Sequence, residues 1–231
     1  MKICIVGVPS DIKTYLSSQD NIGTISGRIR EISEVERMSK EESEFLLRLG
    51  FEVLQSFEVS SEVSENFYQQ LMWITDRIAL ELQEIGLRVS KRAVENERKI
   101  DRQVIDSEIL EWLKMSMQSA TVTVESHMNS KETRAGRRNQ CIYALGVCDN
   151  EDFRYLDVEK IIKHEFPLST ANTKLNVSQN LSTLSKGGSP LIKKSTQTGY
   201  YRFCDPRYRM AIRSLLIKNK DERIVKKIIP K

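Results

Sequence analysis

The stretch that most narrows what this chain can fold into runs from Asp157 to Arg209. It opens with Asp157-Val158-Glu159-Lys160-Ile161-Ile162-Lys163-His164-Glu165-Phe166, a short amphipathic run closed by Pro167. Asn172-Thr173 follows, then Lys174 to Leu184, where apolar residues at 177, 181 and 184 keep the spacing of one helical face. Asn172 or Thr173 supplies an N-cap oxygen, and Gly187-Gly188 is expected to end the helix. The other face carries Lys174, Asn176, Ser178, Gln179 and Ser182, residue types that reach phosphates and base edges. Pro190 to Lys194 and Tyr200 to Phe203 then flank a polar turn, Ser195 to Gly199. That is the pattern of a two-stranded hairpin with a basic tip.

Helix, helix and basic hairpin is the order of a winged helix-turn-helix, which grips nucleic acid in many proteins and docks other proteins in some. Charge favours the first use. The net charge of +4 is split along the chain: residues 131–231 hold 21 Lys and Arg against 10 Asp and Glu, +11, while residues 1–130 carry −7. Merely solvated basic helices would explain the composition but not its segregation, and a basic half suits a polyanionic partner. Upstream, Arg134-Ala135-Gly136-Arg137-Arg138-Asn139-Gln140 leads into Cys141 to Leu145, the expected first helix of this half. Positive side chains at a helix start oppose the macrodipole, which suits a phosphate backbone or acidic partner there, or else a solvated turn. Downstream, Asp205-Pro206 is an N-cap with proline in the first turn, opening a helix through Leu216. Lys218 to Lys231 reads as a basic tail.

Composition excludes several classes. Cys4, Cys141, Cys148 and Cys204 are scattered without a CxxC pair, so they read as free thiols of a reducing compartment. With only His127 and His164 besides, spacing assembles no metal-ligand cluster. No apolar run reaches membrane-spanning length and no cleavable signal is apparent, so a soluble cytoplasmic protein is expected.

The acidic half begins differently. Lys2 to Val8 is a continuous β-branched-rich run, the pattern of a strand buried on both faces of a parallel sheet, followed by Pro9-Ser10-Asp11. Glu31 to Glu36 is at best one more strand, too few for a doubly wound sheet. From Ser39 the pattern turns helical. Ser39-Lys40-Glu41-Glu42 is a capping box ahead of Phe45, Leu46 and Leu49, with Gly50 interrupting or ending the helix unless Phe51 to Leu54 continue it. Ser64 to Ile74 presents Phe67, Leu71, Trp73 and Ile74. Asp76 caps Arg77 to Val94, with Ile78, Leu82, Ile85 and Val89 inward. Asp101 caps a fourth helix with Val104, Ile105, Ile109, Trp112 and Leu113. Four amphipathic helices with short links predict a compact bundle over 39–118. The polar segment 119–133 is expected as a hinge, 134–217 as the winged-helix domain and 218–231 as the tail. The fold class is thus mainly α, with a remnant strand segment over 1–38.

This order of buried strand, arginine-bearing segment, four-helix lid and winged helix resembles the C-terminal part of initiator and origin-recognition AAA+ ATPases. The resemblance spans essentially the whole chain and rests on order and a few local motifs. It implies that Lys2 to Val8 is the fourth core strand, with Ser10 or Asp11 at the position that orients the attacking water; a turn capping the next helix is the plainer reading. It implies an arginine finger in Gly27-Arg28-Ile29-Arg30, Arg28 ahead of Arg30, unless these are surface arginines pairing with Glu31 or Glu34. Arg77 matches the nucleotide-facing arginine of the lid, although the family's usual glycine is absent beside it. The sequence contains neither GxxxxGK[ST] nor an apolar strand ending in Asp-Glu, so no ATP hydrolysis is expected from this chain alone. ATP and Mg²⁺ enter only with a P-loop-bearing core or neighbouring subunit; the chain is then a piece of a longer ATPase or a truncated relative. The family's habit of forming rings leaves oligomerisation open.

The sequence therefore predicts a DNA-gripping module. Lys163, Lys174, Lys186, Lys193, Lys194 and Arg202 are the expected phosphate contacts, and Asn176, Ser178 and Gln179 face the bases. Arg207, Arg209 and Arg213 add a basic ridge at helical spacing. The alternative is a protein-docking module that tunes assembly of an AAA+ machine without touching DNA. A hydrolase built on His127 or His164 is the third reading, and neither histidine has a nucleophile partner in its sequence context.

Overall fold

The computed structural model describes residues 37–60, 63, 66–129, 137–171 and 173–227. The chain divides after Arg37 into two compact units, and the second, Met38–Lys231, carries every element below. The sequence-predicted strand at 2–8, together with Ser10, Asp11, Arg28 and Arg30, lies outside the described residues.

Among the described residues the fold is mainly helical. α1 (Lys40–Arg48) starts on the expected capping box: Ser39 Oγ accepts from Glu42 N at 3.1 Å, and Glu42 Oε2 accepts from Ser39 N at 2.8 Å. The helix does not end at Gly50. It loosens into a π-helical stretch over Leu49–Leu54, whose wider turn brings Phe51 onto the core beside Leu47. Phe45, expected inward, is 69% exposed, because the helix turns Ser43 and Leu47, one turn apart, to the core. A short parallel pair, β1 (Glu58–Val59) with β2 (Lys99–Ile100), ties the chain back after α2 (Phe67–Ile74) and α3 (Ala79–Glu95). α4 (Arg102–Met115) begins as predicted, with Asp101 Oδ1 accepting from Val104 N at 2.9 Å. Asp76, by contrast, is not the cap of α3. The helix starts at Ala79 with Ile78 at its N-cap, and Asp76 and Arg77 both take left-handed backbone angles, φ 52° and 57°. Non-glycine residues resist that region by about 1–2 kcal/mol each, so other contacts must hold the turn.

Of the segment 119–133 expected as a hinge, the first part lies in α5 (Gln118–His127), whose Ala120 and Val124 are buried and which packs against α10 (Pro206–Leu215), and 130–133 lie outside the described residues. Two small apolar side chains one turn apart were enough to make a packing face in a sequence that reads as polar. α6 (Arg137–Val147), α7 (Tyr155–Glu165), the single-turn α8 (Pro167–Thr170) and α9 (Val177–Leu184) follow. α9 is shorter than expected at both ends. Asn176 precedes it at φ 50° with no side-chain cap, and Ser185 closes it before Gly187.

The hairpin stands where the sequence placed it. β3 (Ile192–Lys194) pairs antiparallel with β4 (Tyr201–Phe203) in the register Ile192↔Phe203, Lys193↔Arg202, Lys194↔Tyr201. Phe153, between α6 and α7, adds a single bridge to Tyr201 through N–H···O bonds of 2.9 and 2.8 Å. The expected basic tail is a second hairpin, β5 (Leu216–Lys218) with β6 (Ile224–Lys226). Three lysines of this segment are ion-paired: Lys218 to Glu165 at 2.7 Å, Lys226 to Glu125 at 2.7 Å and Lys227 to Asp106 at 3.1 Å.

Two apolar clusters result. The first gathers Leu47 to Met117, with Trp112, Phe51 and Phe67 fully buried. The second gathers Ala120 to Ile224, with Phe153, Phe166 and Ile142. Each such side chain contributes about 1.5–3 kcal/mol on burial. α10 serves both, since Met210 joins the first cluster while Ala211 and Ile212 join the second.

Candidate nucleic-acid interface

α9 presents its polar side chains to solvent because Val177, Leu181 and Leu184 bury its other face against α6 and α7. Asn176, Ser178 and Gln179 are exposed. Among the described residues their side-chain polar atoms form no hydrogen bond, although Asn176 O accepts from Asn180 Nδ2 at 3.3 Å. An amide at the head of a helix usually caps it; left-handed backbone at Asn176 takes its side chain out of that role.

Four lysines lie near this helix in sequence. Lys174 precedes α9, Lys186 follows it, and Lys193 and Lys194 stand on β3, all four exposed and none with an acidic partner among the described residues. Four exposed lysines without acidic partners, two flanking α9 in sequence and two on the hairpin that follows it, are an electrostatic footprint for a polyanion. Lys193 stands directly across from Arg202, a like-charge pair that ordinarily destabilises a hairpin. Asp152 resolves it: Arg202 Nε and Nη2 bind its two oxygens at 2.9 and 2.8 Å, and this guanidinium holds the Asp152 carboxyl below its ordinary range. Arg202 thus braces the hairpin against the α6–α7 connection and leaves the outward charge to Lys193.

Other predicted contacts are also engaged within the protein. Lys163 is exposed but bound to Glu159 at 2.6 Å. Arg207 lies on Asp205, with Nη2 to Oδ2 at 2.6 Å. The largest departure is Arg209. It is buried, with Nη1 on Asp76 Oδ2 at 2.8 Å and Nη2 on Asn150 O at 2.6 Å, so it lines no groove. Arg213, its neighbour one turn on, binds Asp76 Oδ1 at 2.9 Å and lies 3.7 Å above the Trp73 ring. Burial pushes the Arg213 guanidinium down to about 10, desolvation outweighing the attraction of Asp76. Two of the three arginines of the expected ridge, Arg209 and Arg213, therefore form an internal joint between the two apolar clusters, while Arg207 stays at the surface on Asp205. Helical spacing placed Arg209 and Arg213 on one face, but nothing local to either arginine or to Asp76 foretold their meeting.

Arg77 does not form a nucleotide site with the described residues. Its Nε donates to Met38 O at 3.1 Å and its Nη2 to Asp149 at 3.4 Å, so protein groups already occupy the guanidinium. No loop among the described residues cradles a phosphate beside it, and no step involving ATP is derived.

The third reading finds no support in the local chemistry. His127 Nε2 lies 2.8 Å from Ser189 O, and His164 Nδ1 lies 3.1 Å from Glu165. Cys141 and Cys148 are buried, and burial pushes the Cys141 thiol up to about 12. A cleft of about 450 Å³ beside α3 is lined by paired charges, Arg88 with Glu84 and Arg92 with Glu108, without a nucleophile. No group of three or more His, Cys, Asp or Glu among the described residues is placed to hold a metal. No described helix is long and apolar enough to cross a membrane. Comparison with family models, with curated proteins and with solved structures finds no match to this chain.

Proposed function

We propose that the chain is the lid and winged-helix part of an AAA+ ATPase of the initiator type, gripping duplex DNA through its basic half. The observation that carries this reading is the polar face of α9, whose Asn176, Ser178 and Gln179 side chains are uncommitted, together with the exposed lysines Lys174, Lys186, Lys193 and Lys194, none with an acidic partner among the described residues. The element order supports it. Helices α6, α7 and α9 precede the β3–β4 hairpin, and the single Phe153–Tyr201 bridge sets the α6–α7 connection beside that hairpin. In this reading α9 enters the major groove, the four lysines contact phosphates, and Asn176 and Gln179 reach base edges. Arg202, Arg207 and Arg209 act through the protein, not on the DNA. An ATPase core bearing the phosphate loop, in a longer form of this chain or in a neighbouring subunit, would supply ATP and Mg²⁺.

Fluorescence anisotropy with a labelled random-sequence duplex at two salt concentrations tests the proposal. Salt-sensitive binding lost in Lys193→Glu/Lys194→Glu is the expected result. No binding at low salt, or binding indifferent to the double substitution, overturns it and leaves the protein-docking reading, for which the exposed apolar side chains of α3 are the specific support.

A further inference from the structure

Helix α3 is apolar on two opposite sides. Leu82, Ile85, Val89 and Ala93 are fully buried on one. On the other, Leu80, Leu87 and Val94 are 70%, 56% and 57% exposed. They recur every seven residues, two helical turns, and so form one line along a helix of 17 residues. A helix on the surface of a single chain carries polar groups opposite its buried stripe. Single exposed leucines need no explanation, whereas an ordered row of three marks a contact surface.

The charges beside the row select its occupant. At about 100° per residue, Glu84 and Lys91 flank the row on one side, and the uncharged Gln83 and Ser90 flank it on the other. Lys91 is exposed and has no acidic partner among the described residues. The hydrogen bonds to Glu84, from Arg88 and Ser116, all fall on Oε1. Laid antiparallel about a two-fold axis at Leu87, two copies of α3 set Leu87 on Leu87 and Leu80 on Val94. Each Glu84 then meets the other copy's Lys91, giving two opposite-charge pairs. A parallel arrangement sets the charged flank of one copy against the uncharged flank of the other and forms neither pair. The antiparallel macrodipoles also oppose each other favourably.

We propose that the outer face of α3 is a self-association surface, on which a second copy of this chain docks antiparallel through Leu80, Leu87 and Val94 with reciprocal Glu84–Lys91 pairs. The contact is isologous, each patch facing itself across the axis. A single row of three side chains is smaller than the roughly 800 Å² per partner of a standard stable interface, so the dimer forms at high protein concentration and exchanges readily. The proposal is independent of DNA binding, because none of these residues belongs to the α9 and hairpin surface.

Sedimentation velocity on the full chain from about 5 to about 300 µM tests it, a range that brackets a dissociation constant on the order of tens of micromolar. The expected result is a concentration-dependent shift from monomer to dimer that Leu87→Glu abolishes, since it sets two carboxylates on the axis. Lys91→Glu weakens the dimer at least about tenfold by placing like charges across both pairs. Glu84→Lys does the same, and an equimolar mixture of the two variants associates again, because opposite charges then face each other at every pair. Should Glu84→Lys fail to fold, Leu87→Glu and Lys91→Glu decide alone. A monomer at the highest concentration overturns the proposal. So does a dimer indifferent to Leu87→Glu, which uses another face, or one indifferent to Lys91→Glu, which is not antiparallel.

Discussion

The carboxylate of Asp76 is held 2.8 Å from the guanidinium of Arg209, across 133 positions of sequence, with both side chains almost wholly buried. Arg213 completes the joint at 2.9 Å, its side chain 1% exposed. Asp76 sits in the turn between α2 and α3, and the two arginines sit on α10, so this ion triad is the polar counterpart of Met210 reaching into the first apolar cluster. Burying an ion pair costs about as much as the attraction returns, so the joint fixes how α10 meets the α2–α3 turn without adding much net stability. Removing one partner is different, because two guanidiniums would lie buried without their carboxylate. Asp76→Ala is expected to lower the unfolding free energy by about 3–5 kcal/mol in a urea titration. A loss below about 1 kcal/mol would show that water reaches the arginines.

Gly146 is the second tight point on α10. A Cβ added there would stand 2.4 Å from Ile212 Cγ2 and 3.1 Å from Ile212 Cβ, and Gly146 O accepts from Arg213 Nε at 2.7 Å. The absent side chain is what lets α6 and α10 approach. Gly146→Ala gains helix propensity but must push α10 away, at about 1–3 kcal/mol for overpacking. Thermal melting should show a lowered midpoint, and an unchanged or raised one would mean that Ile212 simply rotates aside.

How far the sequence could be read follows from the range of each interaction. Signals within four residues were legible: the Ser39 and Asp101 caps, the buried faces of α4 and α9, and the strand pair around Ser195 to Gly199. Those that depend on a distant partner were not. Arg209 reads as a solvent-facing cation until Asp76 is seen beneath it, and Arg202 until Asp152 takes both its donors. The β5–β6 hairpin was hidden for the same reason, since Lys218, Lys226 and Lys227 look like a solvated tail until Glu165, Glu125 and Asp106 are placed around them. Lys174, Lys186, Lys193 and Lys194, read from the sequence as phosphate contacts, are exposed and have no acidic partner among the described residues, because no distant carboxylate reaches them. The phase of α1 was misread at Phe45 because a serine, Ser43, shares the buried face with Leu47, and hydrophobicity alone does not mark it.

Acid should loosen the basic half first. Arg202 holds the Asp152 carboxyl below its ordinary range, and Lys218 does the same for Glu165. A carboxylate whose folded value is depressed contributes stability that is present above its unfolded value, near 4, and is lost as pH falls through the folded value. Unfolding followed from pH 7 to pH 2 should therefore show stability falling below about pH 4. Asp152→Asn should be less stable at pH 7 by about 1 kcal/mol, the pair being only partly buried, and should fall less steeply in acid. Parallel curves for the two proteins would mean that the Arg202 bond contributes nothing to folding.

The DNA reading predicts a division of labour among cations that look alike in sequence. Each phosphate neutralised by a lysine contributes about 0.9 to the slope of log K against log salt, so contact by Lys174, Lys186, Lys193 and Lys194 gives a slope of roughly −3 to −4. Lys186→Ala should reduce that slope by about one and weaken binding alike on every duplex, because a phosphate contact carries no sequence information. Asn176→Gly is the contrasting substitution. Glycine accepts φ 50° without strain and no cap bond is lost, so the fold should hold to within about 1 kcal/mol. If the Asn176 amide reads a base, the salt slope stays the same while discrimination between duplexes shrinks. Equal loss on all sequences, or none, would assign Asn176 to the turn alone.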